Sequence, residues 1–458
     1  MKTFNEIISE DKKPNDPYRL VILAERPKKQ KESSTSALLV KSAENKGLDV
    51  YNCRVNGAYL NRDDDGVITL HNADDDKGFV LDGDTIVMIR GMVTRKDSYL
   101  DLISQIERYG IATCNPRECI EVCADKFRTY LRLQEIGMNQ PRTVLIPNEE
   151  LESVDRAHEA LDNDFPMVLK TLQGSGGVGV LLVESERSLQ AQVSLIYKID
   201  PNCDILLQEY IEGEYDVRVV ISNREIIGAM KRNRILDDFR SNVHQGATYE
   251  PFELTDKEAD DCLRAAKAVN GQWVGVDFIP AENREKDAPF ILEVNHSPGS
   301  YGISKVIGAP ITKKVLDVYD NRDLWKYSPN ECGVLETVAV DGKEMTAKMD
   351  TGNNTSVCSL HAEDYEIKGN KITWVGNDGE KQTKPIKRYV ELIKPAEKRP
   401  VIEVELKFLN TTYTQEVSLD KRNTIPFLIN RDFMRRANLM INPSRKFLLT
   451  NKRDERDE

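Results

Sequence analysis

The stretch PMVLKTLQGSGGVGVLLV (166–183) places a lysine and a glycine-rich turn between two short apolar segments. The first segment reads as a strand that ends at Lys170, and the second begins after Gly179. Glycines let backbone N–H groups approach phosphate oxygens, and a lysine on the preceding strand can meet their charge. The stretch therefore predicts a phosphate-binding hairpin, although an ordinary hairpin loop shows the same pattern. The turn contains Gly174, Ser175, Gly176 and Gly177.

Polar side chains on two later strands extend this prediction to a metal. Glu293 and Asn295 lie two apart in FILEVN (290–295), so both face the same side of a strand. Asp277 lies in VGVDFI (274–279), the predicted neighbouring strand. Three oxygen ligands from two strands suit Mg²⁺ held together with nucleotide phosphates. Two acids that face water are the alternative, but the strands are otherwise apolar and an unpaired buried carboxylate is costly.

Two further segments fit a nucleotide site. ILLQEYIEGEYDVRVV (205–220) runs from strand to loop to strand and is suited to be a nucleotide hinge. A cationic cluster then precedes Ser241 and Asn242, in a chain with a net charge of −12. We interpret this cluster as an anion-binding site, with a solvated cationic hairpin as the alternative. Its members are Lys231, Arg232, Arg234 and Arg240.

Composition limits the classes of function. A net charge of −12 disfavours nucleic-acid binding through a general basic surface, which needs clustered cations. No apolar run in the sequence has the length of a membrane span, and the N-terminus lacks the apolar stretch of a signal peptide. We therefore expect a cytoplasmic protein without a membrane segment. The eight cysteines are scattered and predict reduced thiols.

The pattern of predicted elements divides the chain. Strands and helices alternate up to residue 114, and Asn115-Pro116 with Glu118 is typical of a helix N-terminus, with Asn115 as its cap. After residue 333 the chain consists mostly of short strands and turns. The predicted organisation is a tail (1–16), an α/β domain (17–114), a second domain (115–320), a linker (321–333), an all-β domain (334–450) and a charged tail (451–458).

The motifs occur in an order that resembles the RimK-type branch of the ATP-grasp family, a branch that includes glutamate ligases of a ribosomal protein. The resemblance covers residues 18–320 and is specific in its combination. The matching pieces are Lys170 with the glycine turn, Gln208-Glu209-Tyr210-Ile211, Asp216-x-Arg218, Asp238-Phe239-Arg240-Ser241-Asn242, Gly275-Val276-Asp277 and Glu293-Val294-Asn295-x-Ser297-Pro298-Gly299.

This resemblance implies an α/β ATP-grasp fold, in which a pre-ATP-grasp domain precedes two α+β lobes that clamp ATP. It implies that Asp277, Glu293 and Asn295 ligate two Mg²⁺ ions, with Mn²⁺ as the alternative metal. The implied ATP-binding residues are Lys126, Lys170, Gly174, Ser175, Gly176, Gly177, Glu209, Tyr210, Ile211, Asp216, Arg240, Ser241 and Asn242. The implied catalytic residues are Arg218 and Arg240, and the implied substrate residues are Arg90, Arg232 and Asn242.

The implied reaction is ADP-forming carboxylate–amine ligation. A carboxylate takes the γ-phosphoryl group of ATP to become an acyl phosphate, and an amine then displaces phosphate to leave an amide. Relatives of this type join an amino acid, often glutamate, to the C-terminus of a peptide or protein. The cationic cluster favours an acidic amino acid such as glutamate. RimK-like proteins form homo-oligomers, so a dimer or tetramer is expected.

AKMDTGNNTSVCSLHA (347–362) carries the chemistry of the all-β domain. Asp350-Thr351-Gly352 follows a predicted strand, and such a turn exposes the carboxylate. Aspartic proteases need two carboxylates that share one proton, so a single triplet requires a symmetric dimer that pairs Asp350 with its copy.

The surrounding pattern resembles the retropepsin-like domain called an ATP-dependent zinc protease. Asn353 stands where alanine is usual, and Asn430 stands where glycine is usual, which leaves the peptidase geometry open. No His-Glu-x-x-His motif supports zinc, and we interpret His361 as structural. The matching pieces are Lys348-x-Asp350-Thr351-Gly352, Thr355-Ser356, Leu360-His361-Ala362, Arg399-Pro400 and Asn442-Pro443-Ser444-Arg445.

Three functional hypotheses remain open from the sequence. The first is a ligase fused to an aspartic protease that processes the product or acceptor. The second is a ligase whose β domain only binds the acceptor or forms the dimer. The third is a non-catalytic ATP-binding regulator, which the complete metal set disfavours.

Overall fold

The structure is a computed structural model, and its described residues form two compact units, 18–325 and 330–450. The division falls inside the segment 321–333 predicted as a linker, while the individual domain bounds stay predictions. The described residues are 18–25, 34–64, 67–162, 164–172, 179–233, 248–322, 325, 330–353, 355–376, 379–392, 397–408, 411–421, 424–437, 439–448 and 450.

The first part of the chain is an α/β layer around a parallel sheet with strand order β2-β1-β6-β7. Gly47 ends the first helix in the left-handed conformation with φ of 77°. A separate antiparallel sheet, β3-β4-β5, contains most of the described part of the acidic stretch 61–77. The elements are β1 (Arg19–Ala24), α1 (Thr35–Lys46), β2 (Asp49–Arg54), β3 (Ala58–Arg62), β4 (Ile68–Asn72), β5 (Asp75–Leu81), β6 (Thr85–Arg90), α2 (Asp97–Arg108) and β7 (Ala112–Cys114).

Two helices follow, α3 (Arg117–Ala124) and α4 (Lys126–Glu135). Asp125 caps α4 by accepting hydrogen bonds from the backbone N–H groups of Phe127 and Arg128. The prediction that Asn115 caps α3 is wrong, because Pro116 holds the cap position, and among the described residues no side chain caps this helix. The Asn115 amide instead bonds backbone groups more than 150 residues away.

The first lobe is an antiparallel sheet, β10-β9-β11-β8, with two helices packed on one face. Leu169, Leu189 and Leu207 are among the fully buried residues of its core. The elements are β8 (Thr143–Ile146), α5 (Leu151–Glu159), β9 (Met167–Thr171), β10 (Val180–Val183), α6 (Glu186–Ile199) and β11 (Ile205–Glu209).

The second lobe is an antiparallel sheet with strand order β14-β13-β12-β15-β16. Asn223 and Arg224 have φ of 47° and 74° and form the hairpin turn between β12 and β13. Thr255 and Glu258 form a capping box at the start of the following helix. The elements are β12 (Tyr215–Ser222), β13 (Glu225–Asn233), β14 (Tyr249–Pro251), α7 (Asp256–Ala268), β15 (Trp273–Ile279), β16 (Phe290–Asn295), α8 (Tyr301–Val306) and α9 (Ile311–Val318).

The second unit is almost entirely β. Its seven-stranded sheet has the order β18-β19-β27-β20-β26-β25-β24, and an additional pairing of β18 with β25 closes it into a barrel. The elements are β17 (Asn330–Cys332), β18 (Leu335–Val340), β19 (Lys343–Met349), β20 (Cys358–His361), β21 (Tyr365–Lys368), β22 (Lys371–Val375), β23 (Lys381–Pro385), β24 (Arg388–Leu392), β25 (Glu397–Phe408), β26 (Thr411–Asp420), β27 (Phe427–Ile429), α10 (Arg431–Arg436) and β28 (Leu439–Ile441).

The predicted fold class is confirmed in its three parts: an α/β region, two α+β lobes and an all-β region with a barrel. Within the described part of the chain, every helix is too short or too polar to cross a membrane.

Candidate active site

Three neighbouring strands of the second lobe place charged side chains in one row. Arg218 on β12 is the register partner of Asp277 on β15, and Asp277 is the partner of Glu293 on β16. The Arg218 guanidinium donates to both Asp277 oxygens at 2.6 and 2.5 Å. Its Nη2 also lies 3.6 Å from Glu293 Oε1. One arginine therefore lies against both carboxylates of the row.

Arg232 on β13 lies beside this row and is buried, with 3% of its surface exposed. Its Nε donates to Asp216 at 2.5 Å, and its Nη2 donates to Asp277 at 2.8 Å. The sequence placed Asp216 near ATP and Arg232 near the substrate. Both assignments stay predictions, and in this structure the two side chains bind one another and Asp277.

Both partners of this network keep their charge. Burial alone would raise the pKa of Asp277, but the positive charges of Arg218 and Arg232 outweigh it and hold that pKa well below its usual range. Burial alone would lower the pKa of Arg232, and Asp277 and Asp216 raise it instead. Asp277 is therefore an anion at neutral pH.

The predicted metal residues converge at the end of the row. Asn295 Nδ2 donates to Glu293 Oε1 at 2.7 Å, and the other predicted ligand, Asp277, is the register partner of Glu293. Two carboxylates and one amide oxygen fit Mg²⁺, because rotation of the Asn295 amide presents its oxygen on the same side. Among the described residues no three His, Cys, Asp or Glu side chains are grouped closely enough to hold a metal ion. The ligand roles of Asp277, Glu293 and Asn295 stay predictions.

Lys170 on β9 projects from the first lobe and donates to Gln208 Oε1 on β11 at 2.6 Å. Gln208 in turn donates to Thr143 Oγ1 at 2.7 Å, which fixes the orientation of its amide. Burial lowers the pKa of Lys170 to about 8. The negative charge of Glu293 opposes this shift, and the positive charge of Lys126 adds to it. Lys170, Lys126 and Glu293 thus influence one another electrostatically across the two lobes.

Lys126 begins α4 and donates to the carbonyls of Thr171 and Leu172, both at 3.1 Å. These carbonyls mark the start of the glycine-rich turn. Burial lowers the pKa of Lys126, opposed by Glu293 and Asp125. At the other end of the turn, a Cβ on Gly179 would lie 2.3 Å from Thr171 Oγ1, so only glycine fits there.

The predicted hinge links the two lobes. β11 ends at Glu209 and β12 begins at Tyr215, with Tyr210 and Ile211 between them and partly buried. The Glu209 carboxylate accepts from the backbone N–H and Nε of Arg142 at 3.1 and 3.4 Å. Its assignment to adenine, like those of Tyr210 and Ile211, stays a prediction.

Arg90 ends β6 and is 3% exposed. Its guanidinium stacks on the Trp273 ring at 4.0 Å and donates to the Pro298 carbonyl at 2.5 Å. Within the described part of the chain its Nε and Nη1 have no hydrogen-bond partner, and burial lowers its pKa to about 10. The predicted contact with a substrate carboxylate stays a prediction. The predicted residues that lie outside the described part of the chain are Gly174, Ser175, Gly176, Gly177, Arg234, Arg240, Ser241 and Asn242.

Sequence reasoning missed the role of Gln208. In the sequence, Gln208 was recognised only as part of the motif Gln208-Glu209-Tyr210-Ile211. The signal was available, because Lys170 and Gln208 lie on antiparallel neighbours, where polar residues in otherwise apolar strands tend to meet.

Asp350 follows β19 directly, as predicted. Its backbone N–H donates to Ile429 O at 2.9 Å, and its Oδ1 accepts from Gly352 N–H at 3.1 Å. Asn430 Nδ2 donates to Thr355 O at 2.8 Å, and its Oδ1 accepts from Phe433 N–H at 3.0 Å. Asn430 therefore ties the Asp350 turn to the start of α10, although it replaces the glycine usual at its position.

Two family models match the chain. The RimK-like ATP-grasp domain matches residues 123–319, and the retropepsin-like aspartic endopeptidase RimB matches residues 332–452. A probable alpha-L-glutamate ligase of Trichodesmium erythraeum is 32% identical over 223 residues, which are 47% of this chain and 70% of that protein.

Solved structures show the same fold at low identity. A RiPP-associated ATP-grasp ligase of Chryseobacterium gregarium, in complex with ADP and a leader and core peptide, is 14% identical with a TM-score of 0.51, covering 68% of this chain and 99% of that one. The macrocyclase MdnC of Microcystis aeruginosa is 15% identical with a TM-score of 0.50, covering 65% and 98%.

Proposed function

Because this chain belongs to the RimK-like ATP-grasp family, we propose that it is an ADP-forming carboxylate–amine ligase that adds glutamate to the C-terminus of a peptide or protein. The observation that carries the proposal is the row Arg218–Asp277–Glu293 on one lobe, with Lys170 and Lys126 from the neighbouring elements. Such a set of fixed cations and carboxylates suits a polyphosphate with its metal.

Each residue has a role in the proposed reaction. An acceptor carboxylate oxygen bonds to the γ-phosphorus of ATP while the bond to the β-phosphate oxygen breaks and releases ADP. Lys126 and Lys170 bind the phosphates, and Arg218 stabilises charge on the transferring phosphoryl group. The amine then attacks the acyl carbon, loses a proton and displaces phosphate. Asp277, Glu293 and Asn295 would hold Mg²⁺, which neutralises phosphate charge when bound.

The amino acid is proposed from the relatives and from charge. The relative from Trichodesmium is described as a probable alpha-L-glutamate ligase. Arg232 is one of the cations that suggested an acidic substrate. In the structure it forms salt bridges with Asp216 and Asp277. The choice of glutamate therefore rests on the relatives more than on this arginine. A homo-oligomer of two or four chains is proposed for the assembly.

The test is ADP and phosphate release with Mg-ATP against the twenty amino acids, with mass spectrometry of the products. The proposal expects turnover that depends on glutamate and a matching mass increment on a peptide or on the protein. The variant Lys170→Ala should abolish it. Turnover with neutral amino acids but not glutamate would overturn the substrate assignment, and glutamate-independent ATP hydrolysis that survives Lys170→Ala would overturn the site.

A second candidate function belongs to the β domain. The match to a retropepsin-like aspartic endopeptidase and the position of Asp350 directly after β19 favour peptide cleavage by a symmetric dimer. The alternative is a domain that only binds the acceptor or joins two chains. Cleavage that is lost in Asp350→Asn while ligation persists would support the peptidase, and intact cleavage in that variant would exclude it.

A further inference from the structure

Asn115 lies beside the start of β15 and the end of β16, the two strands that carry the proposed metal residues. It is 1% exposed, and its side-chain amide makes four hydrogen bonds to backbone groups. Nδ2 donates to Trp273 O at 2.8 Å and to His296 O at 2.7 Å. Oδ1 accepts from the N–H groups of Gln272 and Trp273 at 2.7 and 2.8 Å. This amide therefore has both donors and both acceptor positions occupied.

These contacts join β15 to the residue that follows β16. The ladder between the two strands ends at the pair Gly275 and Asn295. Trp273 and His296 come just beyond this pair, and one amide group bridges their carbonyls. Asp277 lies four residues along β15 from Trp273, and Asn295 precedes His296. The Asn115 side chain therefore closes the ladder at the end that carries the proposed ligands.

The residues after His296 are held by hydrogen bonds to the α/β layer at the start of the chain. Gly91 N–H donates to Ser297 Oγ at 2.9 Å, Arg90 donates to Pro298 O at 2.5 Å, and Ser300 N–H donates to Thr35 Oγ1 at 3.1 Å. A Cβ on Gly275 would lie 3.0 Å from Pro298 Cβ, so this loop packs directly on β15. The loop 296–300 is thus fixed on one side by the α/β layer and on the other by the strand of Asp277.

We propose that Asn115 is a positioning residue that sets the spacing between Asp277 on β15 and the pair Glu293 and Asn295 on β16. The inference rests on the proposed function, since those three side chains are its metal ligands. Asn115 touches neither nucleotide nor metal in this proposal. It acts through the backbone of Trp273 and His296, and residues that orient metal ligands typically change metal affinity by about 10- to 100-fold when they are replaced.

The experiment is calorimetric titration of ADP into the full chain, once with MgCl₂ and once with EDTA. In Asn115→Asp the shape is kept, but both donors to the Trp273 and His296 carbonyls are lost at neutral pH. We expect the ADP Kd to rise about 10- to 100-fold with Mg²⁺ and to stay near the wild-type value in EDTA. Excess Mg²⁺ should recover part of the loss. A merely structural role would weaken both titrations alike.

Asn72→Ala is the matched control, because Asn72 is also a buried amide bonded to backbone groups but lies on β4, far along the chain from the metal residues. Equal losses in the two variants would overturn the inference, as would a wild-type Kd for Asn115→Asp. If Asn115→Asp does not fold, Ser297→Ala tests the inference in its place. This variant removes the hydrogen bond from Gly91 N–H to the same loop. It should raise the ADP Kd by roughly three- to tenfold with Mg²⁺ and leave the Kd in EDTA unchanged. An unchanged Kd there would overturn the inference, whereas absence of ADP binding by the wild type would overturn the proposed function.

Discussion

Arg218 and Asp277 face each other as register partners on β12 and β15, and the guanidinium donates to both carboxylate oxygens at 2.6 and 2.5 Å. Asp277 also accepts from Arg232 at 2.8 Å. A carboxylate held this way has a fixed orientation before any ligand binds. The geometry depends on the planar fork of Arg218, because only two parallel N–H groups can reach both oxygens at once.

We therefore expect Arg218→Lys to lower kcat for glutamate-dependent ADP release by about 10- to 100-fold. Lysine keeps the charge but cannot bind both oxygens, and one hydrogen bond to a charged group contributes ~1.5–3 kcal/mol. Initial rates at saturating ATP measure the effect. The matched control is Arg284→Lys, since Arg284 makes a comparable double contact with Glu258, at the capping box of α7. Equal losses of kcat in the two variants would contradict the specific role of Arg218.

The pKa of Lys170, lowered to about 8, predicts a pH dependence of nucleotide binding. The protonated amine attracts phosphate, so affinity is full below pH 8. Above that pH the amine must take up a proton on binding, and Kd rises by up to about tenfold per unit. Titration of ATP between pH 6.5 and 9.5, limits chosen at roughly 1.5 units either side of this pKa, should show the rise.

Lys170→Arg is the control for this dependence, because a guanidinium stays protonated throughout the range. Its ATP Kd should change much less above pH 8 than that of the wild type, whatever its value at neutral pH. A wild-type Kd that stays flat up to pH 9.5 would contradict a lowered pKa, or would show that Lys170 does not meet the phosphates.

The sequence predicted those features that depend on neighbouring residues or on strand alternation. Glu293 and Asn295 share a face because they are two apart on one strand. Arg218 and Asp277 were each identified within a motif, but their pairing depends on the register between β12 and β15, which are separated along the chain by β13, β14 and α7. A register shift of one residue would have turned them to opposite faces.

Asn115 and Arg232 show where sequence reasoning stopped. The signal Asn-Pro-x-Glu is a common helix start, yet the Asn115 amide bonds Trp273 and His296, 158 and 181 residues away. No local pattern encodes a partner at such a distance. Arg232 lies in a cationic run typical of an exposed anion site, and only the assembled sheet shows it buried between Asp216 and Asp277.

The two compact units predict that peptide cleavage and ligation can be separated. Asp350→Asn should abolish cleavage of a glutamate-extended peptide while leaving glutamate-dependent ADP release unchanged, because Asp350 belongs to the second unit. Asp364→Asn is the control, an acid of the same domain whose side chain is 96% exposed. Since one carboxylate per chain requires a second copy, specific cleavage activity should also rise with protein concentration. Cleavage at a rate per chain that is independent of concentration would contradict the paired-carboxylate mechanism.

Asn430 predicts a measurable stability contribution at the Asp350 turn. It is 1% exposed, caps α10 through Phe433 N–H and donates to Thr355 O, and Cys358 Sγ lies 3.4 Å from its Oδ1. Asn430→Gly restores the residue usual in related domains but leaves these buried groups without partners. We expect the free energy of unfolding of this unit to fall by about 1–3 kcal/mol.

Hydrogen exchange of the full chain should speed up in peptides covering 355–360 and 430–436. The control is Asn370→Gly, at an exposed turn position, which should stay within about 0.5 kcal/mol of the wild type. If hydrogen exchange is the same in both variants, the hydrogen bonds of the Asn430 side chain do not stabilise the Asp350 turn.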